Sequence, residues 1–499
     1  MKLYKSNTGN YNFVMAYPAK EEFALSSLGY MWLYKIADMT EGINAVRIST
    51  DNMNLNKNDI DSIAFSMSFD FDYLGVLEIL DNFKIPFYSK DRDCNSPLIF
   101  AGGPVLTANP KPYEDFFDFI ILGDGEEVFI KVLKCLQQNL GKNKTLELLK
   151  NMEGVYIPSD KISKKATVAL NDVIYTPILS EKSYFKNTFI IEVSRGCMNR
   201  CAFCTASYIN LPFRYYDYEK IINAIEFGLK YTDKIALLGA QISAHPNFKD
   251  IMRYIKNKIE SGKNIELGIS SLRTDSVEPE IVQILAAGGQ KHSTIAIEAA
   301  SEKLRRFINK NLSEEQIIYA VKTARENGLK GLKIYSMIGI PNETDDDISE
   351  FLTLAKKLKN ENKGFNIEFS FSTFVPKPHT PLQWSKREDT KTLEKKQKFL
   401  EKELAKVGIA SKFSSAKWDY WQTVLSRSGS EISPALIEVF KNGGKIGAYK
   451  SAFKKFNIDI TKSVEGFGFD EELPWDFMYI YPSKALLINE YNRINKFLK

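Results

Sequence analysis

Cysteine and histidine are scarce in this 499-residue chain: five of the first, three of the second, and no histidine before His245. So few cysteines exclude a disulfide framework; Cys94 and Cys135 stand far from each other and from the remaining three, which suits a reducing compartment. Long apolar runs are also missing. None approaches the roughly 18 residues that cross a bilayer, and Met1–Lys20 carries no apolar leader core. A soluble, cytoplasmic protein with no membrane association is therefore expected. An excess of one charge is lacking too: 67 Lys and Arg face 62 Asp and Glu, for a net +5. The lysines of 391–402 alternate with Glu and Leu, the pattern of a solvated helix face, so there is no nucleic-acid footprint. Repeats and low-complexity tracts are absent. What remains, 44% hydrophobic and 26% charged, is ordinary globular composition with length for two or three domains.

Against that scarcity, Cys197, Cys201 and Cys204 fall within eight residues of Ile191-Glu-Val-Ser-Arg-Gly-Cys-Met-Asn-Arg-Cys-Ala-Phe-Cys204. Three thiols so close on one loop point to a common centre, and in a reducing compartment tight spacings serve iron-sulfur clusters. A cubane cluster takes four ligands. With three supplied locally, one iron stays open, as the vacant position does in a reactive zinc site. A structural zinc ion or three unrelated buried thiols are the alternatives. The spacing C-x3-C-x2-C, with Phe203 before its last cysteine, resembles the signature of the radical S-adenosylmethionine (SAM) enzymes. The resemblance implies a 4Fe-4S cluster on the three cysteines, whose open iron chelates the amino and carboxylate groups of SAM.

Residues 1–150 alternate short apolar strands (Phe13–Ala16, Ala45–Ile48, Ser62–Met67, Leu98–Ala101, Phe119–Leu122) with helical patterns (Glu21–Ala37, Tyr73–Phe83, and one opening at Glu126). That order predicts a Rossmann-like parallel sheet, with ligands beyond the carboxyl ends of its strands. Those ends are small or polar: Ser66 and Ser68, Gly102 and Gly103, Gly123, Gly125 and Glu126. Turn formation alone would also account for such glycines. The runs Ala101-Gly-Gly-Pro-Val-Leu-Thr-Ala-Asn-Pro110 and Gly123-Asp-Gly-Glu126 resemble the cobalamin-binding domain that precedes the radical SAM domain in one branch of the superfamily. This resemblance leaves cobalamin an open cofactor, because the Asp-x-His-x-x-Gly motif with its axial histidine is missing. Residues 151–186 read as a connecting segment with one hairpin.

Residues 187–384 repeat a strand–helix alternation six times, which predicts a partial (β/α)6 barrel with its chemistry at the carboxyl ends of the strands. The resemblance implies SAM-holding roles for Gly239, Ala240 and Gln241 after the second strand and for Ser270, Ser271 and Arg273 after the third. It implies the same for Glu298 after the fourth and for Ile338, Gly339 and Ile340 after the fifth, where adenine would stack. His245 and His379 lie beyond strand ends. Each is either a proton-transfer or metal-binding group near the substrate, or a histidine bonded to backbone beside a proline. Residues 385–499 read as a mainly helical extension, with Leu473–Phe477 packing over the barrel mouth.

The expectation is thus an α/β enzyme that cleaves SAM reductively at the cluster to a 5'-deoxyadenosyl radical. A flavodoxin or ferredoxin would donate the electron, and cobalamin-dependent C-methylation is one outcome. The alternatives are a cobalamin-independent rearrangement, dehydrogenation or thiomethylation, or a non-catalytic iron-sulfur scaffold.

Overall fold

Strands buried on both faces need near-continuous apolar runs, and the first domain is built from them. The computed structural model describes residues 1–56, 59–158 and 162–498. Its first sheet contains β1 (Gly9–Tyr17), β2 (Gly42–Ser49), β3 (Ser62–Ser66), β4 (Leu98–Gly102), β5 (Phe119–Ile121) and β6 (Val155–Tyr156). The six lie in the order β2-β1-β3-β4-β5-β6, and only β6 is antiparallel to its neighbour. Phe13, Phe100 and Phe119 turn to the helices Leu28–Met39 and Glu126–Leu136. Val14, Ile63, Ile99 and Ile120 turn the other way, to Tyr73–Asn82, so both faces are covered as expected. The helix expected over 21–37 is split into Glu21–Ala24 and Leu28–Met39, where Ser26 Oγ donates back to Glu22 O and ends the first turn.

Among the described residues the connecting segment's strands pair outside it: β6 completes the first sheet, β7 (Ser163–Lys164) pairs in parallel with the tail segment Met478–Tyr479, and the expected hairpin spans residues 159–161, which lie outside the described residues. Beside β6, Gly154 N donates to Lys164 O at 3.1 Å.

The barrel begins at β8 (Phe189–Glu192), followed by a small antiparallel ribbon of β9 (Ser194–Arg195) and β10 (Arg214–Tyr215). Next come β11 (Lys234–Leu238), β12 (Glu266–Ile269), β13 (Leu272–Arg273), β14 (His292–Glu298), β15 (Gly331–Ile338) and β16 (Asn366–Thr373). All pair in parallel, in the runs β12-β11-β8 and β13-β14-β15-β16, with β12 and β13 interrupted at Ser270–Ser271. Local chemistry starts the outer helices. Ser313 and Thr344 form capping boxes with Gln316 and Asp347, each closing two otherwise unpaired N–H groups. A seventh beat lies within the extension: helix Thr390–Val407 ends at left-handed Gly408, and β17 (Ala410–Phe413) pairs in parallel with β16. The barrel thus continues past Trp384.

The tail helices Ala416–Arg427, Ser433–Lys441 and Ile446–Lys455 pack against the first domain, where Trp421, Tyr449 and Trp475 share a core with Tyr73 and Tyr113. Leu473–Phe477 therefore does not cover the barrel mouth. Trp475 is buried in that shared core and its Nε1 donates to Gln383 Oε1 at 2.8 Å. The last helix, Lys484–Asn495, backs the cysteine loop instead, with Ile494 against Ala202, Phe307 and Leu382.

Candidate active site

The cysteine loop leaves the carboxyl end of β8 and is shaped from three sides. Gly196 has φ 84, and a Cβ there would lie 2.6 Å from Asn210 O, so only glycine makes this turn without strain. Ala202 N donates to Ile308 O at 2.9 Å, and Asn309 Nδ2 donates to Asn199 O and Arg200 O at 3.1 and 3.0 Å. Arg493 of the last helix holds Asn309 in turn, Nη2 to Oδ1 at 3.1 Å. Phe203 packs into the cluster that Ala202, Ile340 and Phe374 form behind the loop. Cys197 and Cys201 are buried. Burial raises the thiols of Cys201 (to about 12) and Cys204, and the Lys310 ammonium is the strongest charge acting on Cys201, drawing it down.

Among the described residues no three His, Cys, Asp or Glu side chains stand close enough to hold one metal ion. Three soft thiolate donors on one apolar-backed loop suit an iron-sulfur cluster, in which each thiolate binds its own iron.

The strand ends converge on this loop unevenly. Gln241 is brought against it: Asn199 Nδ2 donates to Gln241 Oε1 at 2.6 Å, and the Cys197 thiol lies 3.5 Å from the same oxygen. Gly239 leaves no room for a side chain, since a Cβ would sit 2.7 Å from Ser194 Oγ, while Ala240 is exposed beside it. Ser270 and Ser271 are exposed at the break between β12 and β13. Arg273, expected to pair with a carboxylate of SAM, binds its own neighbours, Nε to Asp275 at 2.8 Å and Nη2 to Lys310 O at 3.0 Å. Glu298 has φ 66, at an irregularity in the β14–β15 pairing, and accepts from Lys310 Nζ at 3.0 Å. Ile338 is fully buried in the core between strands and helices. Gly339 (φ 77) turns the chain, its N–H donating to Glu343, and Ile340 packs behind the cysteine loop.

Both histidines turn out to be bonded to backbone. His245 is buried, its Nε2 2.8 Å from Tyr216 O and its Nδ1 accepting from Asn247 N at 3.0 Å, so neither nitrogen is left for a substrate. His379 (φ 57) is buried 3.0 Å from Ala108 O, and burial lowers its pKa to about 4. It joins the first domain to the barrel and stays neutral.

The first domain's predicted residues do meet. Ser66, Ser68, Gly102, Gly103, Gly123, Gly125 and Glu126 all line one cavity of about 390 Å³, floored by Met15, Tyr30, Phe100 and Phe129. No histidine lines it. Arg195, two residues before Cys197, forms its wall on the barrel side and reaches Asp124 at 2.9 Å, Glu126 at 2.6 Å and Glu192 at 2.8 Å. Arg214 adds a second contact to Asp124 at 2.5 Å. Sequence reasoning missed Arg195, Asn199, Asn309 and Lys310. Each acts through a partner far along the chain, and the one local sign was Asn309-Lys310-Asn311, a polar run directly after an amphipathic helix.

A cysteine-bearing loop at the mouth of a partial parallel barrel, preceded by a Rossmann-like domain, defines a radical SAM architecture. Comparison with known proteins agrees. Residues 191–355 match the model of the radical SAM superfamily, and residues 33–158 match that of the N-terminal region of radical SAM proteins. An uncharacterised protein of Methanocaldococcus jannaschii is 31% identical over 438 residues, 85% of this chain and 90% of that one. An uncharacterised methyltransferase of Pyrococcus horikoshii is 25% identical over 318 residues, 60% of this chain and 67% of that protein. The solved structure of the cobalamin-dependent SAM radical enzyme OxsB, with aqua-cobalamin and SAM bound, superposes with a TM-score of 0.56 at 15% identity, covering 98% of this chain and 80% of that one. The chain belongs to the radical SAM superfamily. Its fold, a Rossmann-like domain ahead of a partial barrel, is shared with that enzyme.

Among the described residues no helix is long and apolar enough to cross a membrane.

Proposed function

We propose that this protein is a cobalamin-dependent radical SAM enzyme that transfers a methyl group to an unactivated carbon of its substrate. The observation that carries the reading is the shared wall. The cavity that gathers every predicted ligand-facing residue of the first domain is closed by Arg195, the residue that leads into the cysteine loop. A corrinoid in that cavity and SAM at the loop would face one barrel mouth. The similarity to an uncharacterised methyltransferase and to a cobalamin-dependent enzyme supports the same reading.

When bound, the cluster and SAM supply a 5'-deoxyadenosyl radical, and cobalamin supplies the methyl group. This chain's residues hold and shield them. Cys197, Cys201 and Cys204 would be the cluster ligands, with Asn309 and the Ile308 carbonyl fixing their loop. Gln241, Ser270 and Ser271 stand where SAM's polar groups would lie. Gly103 and Gly123 let neighbouring backbone close the cavity wall, since a Cβ on either would lie 2.2 Å from Met67 O or Ala166 O. With no histidine in the cavity wall, a corrinoid would have no imidazole ligand from this domain. A flavodoxin- or ferredoxin-type protein would supply the electron.

Anaerobic reconstitution with iron, sulfide and hydroxocobalamin tests the reading. The expected outcome is iron-sulfur and corrinoid absorbance together, with 5'-deoxyadenosine and S-adenosylhomocysteine formed from SAM under a reductant. Cys201→Ala should abolish SAM cleavage and leave corrinoid retention unchanged. An intact cluster with SAM cleavage but no retained corrinoid would leave a cobalamin-independent radical SAM enzyme.

A further inference from the structure

Lys310 is a buried cation with a single side-chain partner, Glu298, at 3.0 Å. Burying an ammonium costs several kcal/mol unless a counter-charge offsets it, so a lysine is a poor choice for a merely structural position. Three features aim it at the cysteine loop. It sits between left-handed Asn309 (φ 57) and Asn311 (φ 48), in the turn whose Ile308 carbonyl and Asn309 amide already bind the loop backbone. Its carbonyl is held by Arg273 Nη2 at 3.0 Å. Its partner Glu298 is itself left-handed (φ 66), a backbone state that a non-glycine residue holds only when its surroundings enforce it.

We propose that Lys310 is a positioning residue that sets the reduction potential of the cluster, placing a fixed positive charge at the turn bonded to the cysteine loop, with Glu298 as its counter-ion. Reduction adds one electron to a centre that three thiolates already make anionic. A cation held in a low-dielectric pocket stabilises that added charge, and net charge is one of the determinants of cluster potential. The electron comes from the external reductant, and no bond to Lys310 forms or breaks. Glu298 moderates the effect, so the two side chains should pull the potential in opposite directions.

The inference rests on the cluster of the proposed function, and one experiment separates the two. The full chain is reconstituted anaerobically without SAM, and the cluster is titrated with dithionite while the reduced form is followed by EPR. Lys310→Met should make reduction tenfold harder, a midpoint about 59 mV more negative for one electron. Lys310→Arg should restore the wild-type midpoint, and Glu298→Gln should move it positive. If Lys310→Met fails to load a cluster, the sign of the Glu298→Gln shift decides on its own. A wild-type midpoint in Lys310→Met with only SAM affinity reduced would make Lys310 a SAM ligand and overturn the inference. A wild-type chain that takes up no cluster would overturn the proposed function, and this inference with it.

Discussion

Replacing Arg195 by Met should open the seam between the two domains and loosen the cysteine loop. The guanidinium is 15% exposed and meets Asp124, Glu126 and Glu192, themselves 9%, 20% and 14% exposed. Its removal leaves three partly buried carboxylates at the seam, with Arg214 still on Asp124 at 2.5 Å and the Tyr216 hydroxyl donating to Glu192 at 3.1 Å. Breaking a buried ion pair by deleting one partner costs about 3–5 kcal/mol, so opening of this seam should become at least a hundredfold more favourable. Hydrogen exchange reads it directly: protection of the amides of residues 194–204 and 119–126 should fall together by that factor. A pH titration adds a sign. Burial alone would raise the Asp124 carboxyl, but Arg195 and Arg214 outweigh it and hold the carboxyl below its usual range. A depressed folded-state value contributes stability that is complete above the unfolded pKa, about 3.9, and is lost as pH falls through the folded value. In Arg195→Met that contribution should shrink, because the folded-state value moves back toward the unfolded one. As a control, Arg253→Met removes a surface pair to Glu280 whose arginine is 50% exposed, and should change protection within about 1 kcal/mol. A fall in protection of less than about tenfold in Arg195→Met would refute the reasoning.

Gly123→Ala places a Cβ 2.2 Å from Ala166 O at φ 88. Hydroxocobalamin retention, measured by absorbance after desalting, should drop at least tenfold while iron and sulfide content stays at the wild-type level. His379→Gln tests the histidine's structural role. The imidazole is held neutral in the fold, with a pKa of about 4, against about 6.5 unfolded. The unfolded chain therefore binds the extra proton first, and stability rises with pH between those values, at up to about 1.4 kcal/mol per unit. In His379→Gln, stability measured by urea denaturation should lose that part of its pH dependence. A general acid or base would instead have shown its loss in turnover at constant stability.

Much of this protein was legible in the chain itself. The order of apolar runs determined two successive α/β units, because a strand that must be covered on both faces has no other arrangement available. The C-x3-C-x2-C spacing determined the cluster loop, since three ligands within eight residues need no distant partner to be recognised. The small and polar residues at the strand ends of the first domain were found for the same reason, and all of them line one cavity. Tertiary structure alone decided the rest. Whether His245 and His379 serve chemistry depended on which carbonyls lay beside them, and those belong to Tyr216 and Ala108, far away in sequence. Arg195 carried no local signal, and Lys310 only that of a polar run, because a single charge means little until its counter-charges, Asp124 and Glu126 for one and Glu298 for the other, are brought within hydrogen-bonding distance by folding. Periodicity and spacing are properties of neighbours along the chain, whereas electrostatic roles belong to neighbours in space.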